Sequence, residues 1–301
     1  MDVVRSLREI QERADRDRAA GLRLALVPTM GALHSGHLTL VETARRHADR
    51  VWVSIFVNPT QFDDPSDLDA YPRTWEADLA ACEAAGVDGV FAPTAAEMYP
   101  DGADTLVEVA GLSEPLCGAA RPGHFRGVTT VVAKLLLAAK PHVAVFGQKD
   151  WQQLAVIRRM VRDLNVDVEI LGGPTVREAD GLAMSSRNLR LDPEARRQAT
   201  VLVRALEAAE ACVADGERAA AAVLRRVRDE IGRAPLAEID YAELRHPESL
   251  AEAPARLDGP TLLALAVFMK SDEGGAADAV RLIDNRVLEI QPAMPKNEDP
   301  R

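Results

Sequence analysis

Cysteine is scarce. The chain has 3 in 301 residues, Cys82, Cys117 and Cys212. They are far apart, match no zinc-ligand spacing, and their odd number argues against a disulfide framework. Aromatic residues are only 4% of the chain, so its core must come mainly from Ala, Val and Leu. Long apolar runs are also missing. None approaches the ~18 residues of a membrane-spanning helix, and the charged start MDVVRSLREIQERADRDRAAG has no apolar secretion segment. Basic residues are outnumbered 36 to 47, giving a net charge of −11. This excludes a nucleic-acid binder that works by bulk charge but leaves room for a locally basic pocket with a small anionic ligand. The expectation is a cytoplasmic enzyme with neither nucleic acid nor membrane as partner.

The informative stretch is Leu22–Leu40, LRLALVPTMGALHSGHLTL. Leu22–Val27 reads as a buried strand closed by Pro28. His37–Ala48, with Leu38, Val41, Ala44 and Ala48 on one face, reads as a helix packed on a sheet. Between them lie Gly31 and Gly36, which allow close approach of a ligand or neighbouring backbone, and His34 and His37, which share one face of the first helical turn. A strand that runs through such a loop into a helix start makes an anion site from unpaired N–H groups and the helix dipole. The dipole contributes only ~0.3–1 kcal/mol when exposed, so the histidines and nearby cations must supply most of the stabilisation.

The remaining chain alternates helix and strand. Val3–Ala20 reads as a helix stopped by Gly21, and Val51–Val57 as a strand. Thr60–Thr74 reads as a loop, Trp75–Ala85 as a helix, Gly89–Phe91 as a strand and Thr105–Val109 as an edge strand. Cys117–Gly127 is a basic glycine-rich loop, followed by helix Val128–Ala139, strand Val143–Phe146, helix Asp150–Asp163 and strand Val166–Leu171. This order predicts an α/β fold, a Rossmann-like parallel sheet with crossover helices. After Pro174 the helices Pro193–Asp215 and Glu217–Gly232 and the strands Ile239–Leu244, Thr261–Phe268 and Leu282–Ile290 predict a smaller α+β C-terminal domain. The division is expected at residues 1–176 and 177–301, with a disordered tail from Pro292.

Ligands of an open parallel sheet bind at the C-terminal strand ends, and four polar clusters fall there. These are Met30, His34 and His37; Asn58 and Gln61; Gly147, Gln148, Lys149, Asp150 and Gln153; and Val176 and Arg177 with Met184, Ser185, Ser186 and Arg187.

The strings in these clusters carry a resemblance. HSGH resembles the HxGH signature of the adenylate-forming nucleotidyltransferases related to class I aminoacyl-tRNA synthetases, and MSSR resembles its phosphate-binding partner motif. PTMGALHSGH, SIFVNPTQF, DAYPRT, RPGHFRGV, FGQKDWQQ and PTVREADGLAMSSRN resemble the pantoate–β-alanine ligase family in content and order. The resemblance implies condensation of pantoate with β-alanine, using ATP and Mg2+, through a pantoyl adenylate, in a homodimer. It implies an ATP site from Met30 and Gly31 through His34 and His37, with Gly147, Lys149, Asp150, Val176, Met184, Ser185, Ser186 and Arg187. His37 would act as proton donor on the phosphates with His34 assisting, and Lys149 and Arg187 would supply charge. Gln61 and Gln153 would hold pantoate, with Asn58, Tyr71, Arg121 and His124 around the substrates, and Asp78 is a candidate magnesium ligand. Two departures stand out: Gln148 where the family usually has Glu, and Trp151 where it usually has Tyr. The competing readings are an adenylyltransferase of the same superfamily, which leaves AMP on its product, and a non-catalytic nucleotide sensor.

Overall fold

The computed structural model describes residues 1–63, 65–272 and 279–290. The tail expected to be disordered lies outside these residues. The chain forms two compact units. The first is Met1–Glu178 with Ala183–Ser186; the second is Ala179–Leu182 with the described chain from Arg187 onward.

The first unit begins with β1 (Asp2–Val4), α1 (Leu7–Ala19), β2 (Leu24–Thr29), α2 (Ser35–Arg45) and β3 (Arg50–Ile55). A 3₁₀ turn at Pro59–Gln61 leads to α3 (Pro65–Asp69), α4 (Trp75–Ala84), β4 (Gly89–Phe91), α5 (Ala95–Met98) and α6 (Cys117–Ala120). Then come α7 (His124–Ala139), β5 (Val143–Gly147), α8 (Trp151–Asp163) and β6 (Glu169–Gly173). The six strands form one parallel sheet in the order β1-β4-β3-β2-β5-β6.

Both faces of this sheet are covered, which is why its central strands read as unbroken apolar runs. Leu26, Ala144 and Phe146 face a core with α1, α7 and α8. Ala25, Val27, Val53 and Val145 face a second core with α2 and α4. The helices following β2 and β5 therefore lie on opposite faces of the sheet. The crevice between these two strands is a topological switch point, where open α/β sheets bind ligands. β2 pairs with β5 only through Ala25 and Leu26, while it follows β3 as far as Thr29. Pro28 thus sits beyond the last β5 pair, and its missing N–H leaves no gap in that ladder.

The second unit holds α9 (Pro193–Gln198), α10 (Val201–Ala214), α11 (Ala220–Ile231) and an antiparallel meander of β7 (Ala237–Arg245), β8 (Thr261–Met269) and β9 (Val280–Leu288). Leu202, Leu206, Val223 and Val227 pack with Leu263, Leu265 and Val267 in its core.

Five expectations are corrected. The first residues of the expected N-terminal helix form β1 instead, because Asp2–Val4 pair with Gly89–Phe91. Thr105–Val109 is not a strand. Val107 is held by hydroxyls of α7: its N–H donates to Thr130 Oγ1 at 3.0 Å, and its carbonyl accepts from Thr129 Oγ1 at 2.5 Å. The polar Thr60–Thr74 segment contains α3, and the glycine-rich 117–127 segment is largely helical, in α6 and the first turn of α7. Finally, the long helix expected from Pro193 breaks before Val201, where the Thr200 hydroxyl bonds back to the Arg197 carbonyl at 2.9 Å.

Candidate active site

The loop after β2 is a tight left-handed turn, with φ of 86° at Gly31 and 51° at Ala32. For Ala32 this backbone is unfavourable and persists only when surrounding contacts impose it. They come from Asp78 on α4, fully buried at 3% exposure. Its Oδ2 accepts the Ala32 N–H at 3.0 Å, and its Oδ1 accepts the Leu33 N–H at 2.8 Å and the Thr74 hydroxyl at 3.1 Å.

The turn delivers the chain into α2 with His34 as the N-cap. His34 Nδ1 accepts the Gly36 N–H at 3.1 Å, and His37 Nδ1 accepts the His34 N–H at 3.3 Å. Two imidazoles thus do the work usually shared by Ser and Glu in a capping box. Gly36 makes room for this: a Cβ there would stand 2.8 Å from His34 Cε1. With both Nδ1 atoms accepting, the neutral rings carry their protons on Nε2. Their centroids are 4.1 Å apart at an interplanar angle of 37°. Burial, then the charge of the neighbouring His34, pushes the His37 imidazole down to about 3, with Lys149 adding to the effect and Asp150 opposing it. His34 is lowered by burial and then by Lys149, against Asp150 and Glu178. The pair is therefore neutral near pH 7 and lies within electrostatic reach of the β5 end.

At that end, a Cβ on Gly147 would meet nothing within 4 Å, so the backbone borders open space. Lys149 and Asp150 follow in a 3₁₀ turn. The Gln148 side chain lies against β6, where a Cβ on Gly172 would meet its Nε2 at 3.2 Å. On α8, Gln152 is buried and engaged with Cys117 N–H and the Leu112 and Pro115 carbonyls at 3.0, 3.0 and 2.6 Å. Gln153, one position on, is partly exposed.

Met184 is also brought to the start of α2. Its N–H donates to the Val176 carbonyl at 2.9 Å, Arg177 bridges Ala183, and its Sδ accepts from Ser35 Oγ at 2.6 Å. Ser185 and Ser186 complete the first unit's share of the motif, while Arg187 belongs to the second unit.

Gln61 lies beside the histidine loop, its Nε2 donating to Met30 Sδ at 3.2 Å. Asn58, 1% exposed, orients it by donating to Gln61 Oε1 at 3.0 Å while also holding the Gly127 carbonyl at 3.2 Å. Asn58 Oδ1 in turn accepts from Tyr99 at 2.8 Å and Thr60 at 3.0 Å. The Gln61 carbonyl accepts from His124 Nδ1 at 2.7 Å and Arg121 at 3.2 Å, and Arg121 is paired with Asp63. Burial, then Arg121, pushes His124 down to about 4. Asn58, Arg121 and His124 therefore clamp Gln61. Tyr71 packs edge-on against Phe62 with centroids 5.9 Å apart. Sequence reasoning missed Tyr99 and Gln152, which it had no spacing signal to single out.

The magnesium expectation for Asp78 does not fit its geometry, since both carboxylate oxygens are committed to the loop and Thr74. Among the described residues no group of three or more His, Cys, Asp or Glu could hold a metal. Nucleotide-site Mg2+ needs only one or two carboxylates when phosphates supply the other ligands.

A doubly wound sheet with a paired-histidine helix start at its switch point and a lysine turn on the adjoining strand has the layout of a nucleotide-binding α/β protein. The family model described as pantoate-beta-alanine ligase matches residues 2–287, and the chain belongs to that family. It is 52% identical over 288 residues to pantothenate synthetase of Syntrophobacter fumaroxidans, covering 96% of this chain and 99% of the relative. It is 53% identical over 288 residues to that of Geotalea daltonii, with coverages of 96% and 99%. The crystal structure of pantothenate synthetase from Thermus thermophilus superposes with a TM-score of 0.88 at 44% identity, covering 96% of this chain and 100% of that one. That of the Francisella tularensis pantoate-beta-alanine ligase, complexed with beta-gamma ATP and beta-alanine, gives 0.77 at 30% identity, covering 97% and 100%.

Proposed function

We propose that this chain is an AMP-forming ligase that condenses (R)-pantoate with β-alanine, giving pantothenate, AMP and diphosphate through a pantoyl adenylate. The observation that carries this reading is the neutral imidazole pair, 4.1 Å apart, on the same crevice as Lys149 and Asp150. Family membership supplies the substrates.

In the first step a pantoate carboxylate oxygen bonds to the α-phosphorus of ATP, and the bond to the β-phosphate breaks with its electron pair leaving on diphosphate. The Nε2–H groups of His37 and His34 donate to phosphate oxygens as this charge shifts. Lys149, Ser185, Ser186 and Arg187 supply further donors. Preorganised donors of this kind lower barriers by ~3–4 kcal/mol each. Met30, Gly31 and Gly147 border the nucleotide, Asp150 accepts from ribose hydroxyls and Val176 packs on adenine. Gln61 and Gln153 hold pantoate through amides that both donate and accept, with Tyr71 beside them. In the second step the β-alanine nitrogen bonds to the acyl carbon, the bond to AMP oxygen breaks, and the nitrogen loses a proton. Mg2+ bound to the triphosphate would offset part of its charge.

The same reading assigns residues 1–176 to nucleotide and pantoate binding and residues 177–301 to a lid that brings Arg187 to the phosphates. It further takes the enzyme to be a cytoplasmic homodimer with no nucleic-acid partner. No helix among the described residues is long and apolar enough to cross a membrane.

The test is an AMP assay with each substrate omitted in turn. AMP turnover is expected only with ATP, pantoate and β-alanine together, and a stoichiometric burst of diphosphate with ATP and pantoate alone. A stable adenylylated product would indicate an adenylyltransferase instead. ATP binding with no diphosphate release would indicate a sensor.

A further inference from the structure

We propose that Asp78 is a positioning residue that holds the histidine loop in its left-handed turn and acts on the chemistry through His34 and His37. The inference deepens the ligase reading and rests on it for the catalytic readout only.

Asp78 lies in the first turn of α4, 3% exposed, more than 40 residues from the loop in sequence. Its three partners are the Ala32 and Leu33 N–H groups and the Thr74 hydroxyl, at 3.0, 2.8 and 3.1 Å. The first two are the amide groups that a left-handed Gly31–Ala32 turn points inward. A carboxylate accepts both at once with charge-assisted bonds. A neutral amide at this position accepts one and aims its own N–H₂ donors at the other. Thr74, the N-cap of α4, makes no side-chain capping bond. Its hydroxyl turns to Asp78 Oδ1 instead, fixing the carboxylate's rotamer.

The contact is close as well as polar. A Cβ at Gly31 would stand 2.9 Å from Asp78 Oδ2 and 3.2 Å from Ile55. The chain can meet the carboxylate here only without a side chain, and it does so at a φ that glycine tolerates. Immediately after Leu33, the backbone N–H of His34 donates to His37 Nδ1. The backbone that Asp78 fixes at Ala32 and Leu33 therefore leads directly into the group that sets the His37 ring and its tautomer. A loosened turn would leave the imidazoles present but misaimed, and a misplacement of about 1 Å can cost ~100-fold in rate.

The test compares Asp78→Asn with the double variant Asp78→Asn/Ala32→Gly. Backbone amide exchange at residues 30–34 of the whole protein without substrates is expected to speed up at least tenfold in Asp78→Asn. Adenylation kcat is expected to fall 10–100-fold with the pantoate KM within threefold. Adding Ala32→Gly, which removes the left-handed penalty, is expected to restore at least threefold of the rate. The Mg2+ concentration giving half-maximal rate is expected to stay within twofold. A tenfold rise in that concentration, with activity recovered at high Mg2+, would make Asp78 a metal ligand and overturn the proposal. So would unchanged exchange at residues 30–34. If Asp78→Asn does not fold, Thr74→Val carries the exchange test, with at least a threefold acceleration expected and none refuting. Failure of the ligase reading would show separately, as a wild-type protein that makes no pantothenate while the exchange result stands.

Discussion

Substituting His37 separates two jobs that its ring performs. Nδ1 caps α2 by accepting the His34 N–H at 3.3 Å, and Nε2–H is left to donate toward substrate. In His37→Asn the amide Oδ1 occupies nearly the place of Nδ1, so the cap survives while the ε donor is lost. His37→Ala loses both. Losing one transition-state donor costs roughly 2.7–4 kcal/mol, a 100- to 1,000-fold fall in rate. Losing a cap costs ~1 kcal/mol of stability, or about 2–4 °C in Tm for a unit of this size. Both variants are therefore expected to lose at least ~100-fold in single-turnover adenylation, followed as diphosphate release with ATP and pantoate. The alanine variant is expected to melt about 2–4 °C below the asparagine variant. His37→Gln, whose Nε2–H reaches the ε position, is expected to recover part of the rate without recovering the cap. Adenylation in His37→Asn within threefold of wild type would refute a donor role. Equal melting of Asn and Ala variants would refute the cap.

Gly36→Ala drives a Cβ to within 2.8 Å of His34 Cε1. It is expected to lower adenylation at least ~10-fold by displacing that ring, and a rate within twofold of wild type would show that the ring tolerates the move. Lys149→Met is expected to reduce adenylation ~100-fold. Because Lys149 lowers both imidazoles, it should also raise their titration midpoints, as read by NMR; unmoved midpoints would place the ammonium elsewhere. His37 at about 3 and His124 at about 4 lie below the ~6.5 of an unfolded histidine. Below pH 6.5 the unfolded chain therefore binds more protons, so stability is complete above that pH and falls as acid approaches the folded values. Each of these two rings loses about 2 kcal/mol between pH 7 and 5, roughly 4 kcal/mol together. Denaturant unfolding at the two pH values measures it, and equal stabilities would refute the burial of neutral rings.

What was legible in the sequence was local. His34, Gly36 and His37 fall within one helical turn, so spacing alone puts them together, and β2, β3, β5 and β8 announce themselves as apolar runs because both faces are covered. What was hidden depends on distant partners. His124 and Arg121 reach the Gln61 carbonyl across 63 and 60 positions, and no periodicity encodes that clamp. Asp78 reads in the sequence as a candidate magnesium ligand because its amide partners are 45 and 46 residues away. Tyr99 carries no spacing signal in the sequence, although its hydroxyl anchors Asn58. β1 escaped notice because three residues with two exposed side chains carry no pattern. Thr105–Val109 alternates like a strand yet meets threonine hydroxyls of α7 where a strand would need a neighbouring ladder.

The charge state of the histidine pair follows from the way the loop is built. Two imidazolium rings at 4.1 Å would repel by about 4 kcal/mol at an effective dielectric of 20, and the nearby ammonium of Lys149 would add to it. The structure avoids this by turning each Nδ1 onto a backbone N–H, where a proton cannot sit without breaking the cap. The same arrangement that starts α2 therefore keeps both rings neutral and keeps their Nε2–H groups as donors. Neutral donors can follow charge as it moves from the attacking carboxylate to the departing diphosphate, without holding either so tightly that the ground state gains as much as the transition state. The lysine supplies attraction for the nucleotide; the imidazoles supply direction. That division of labour requires Gly36 beside the first ring and Asp78 behind the turn, so the catalytic signature extends beyond its two histidines to the residues that hold their tautomers.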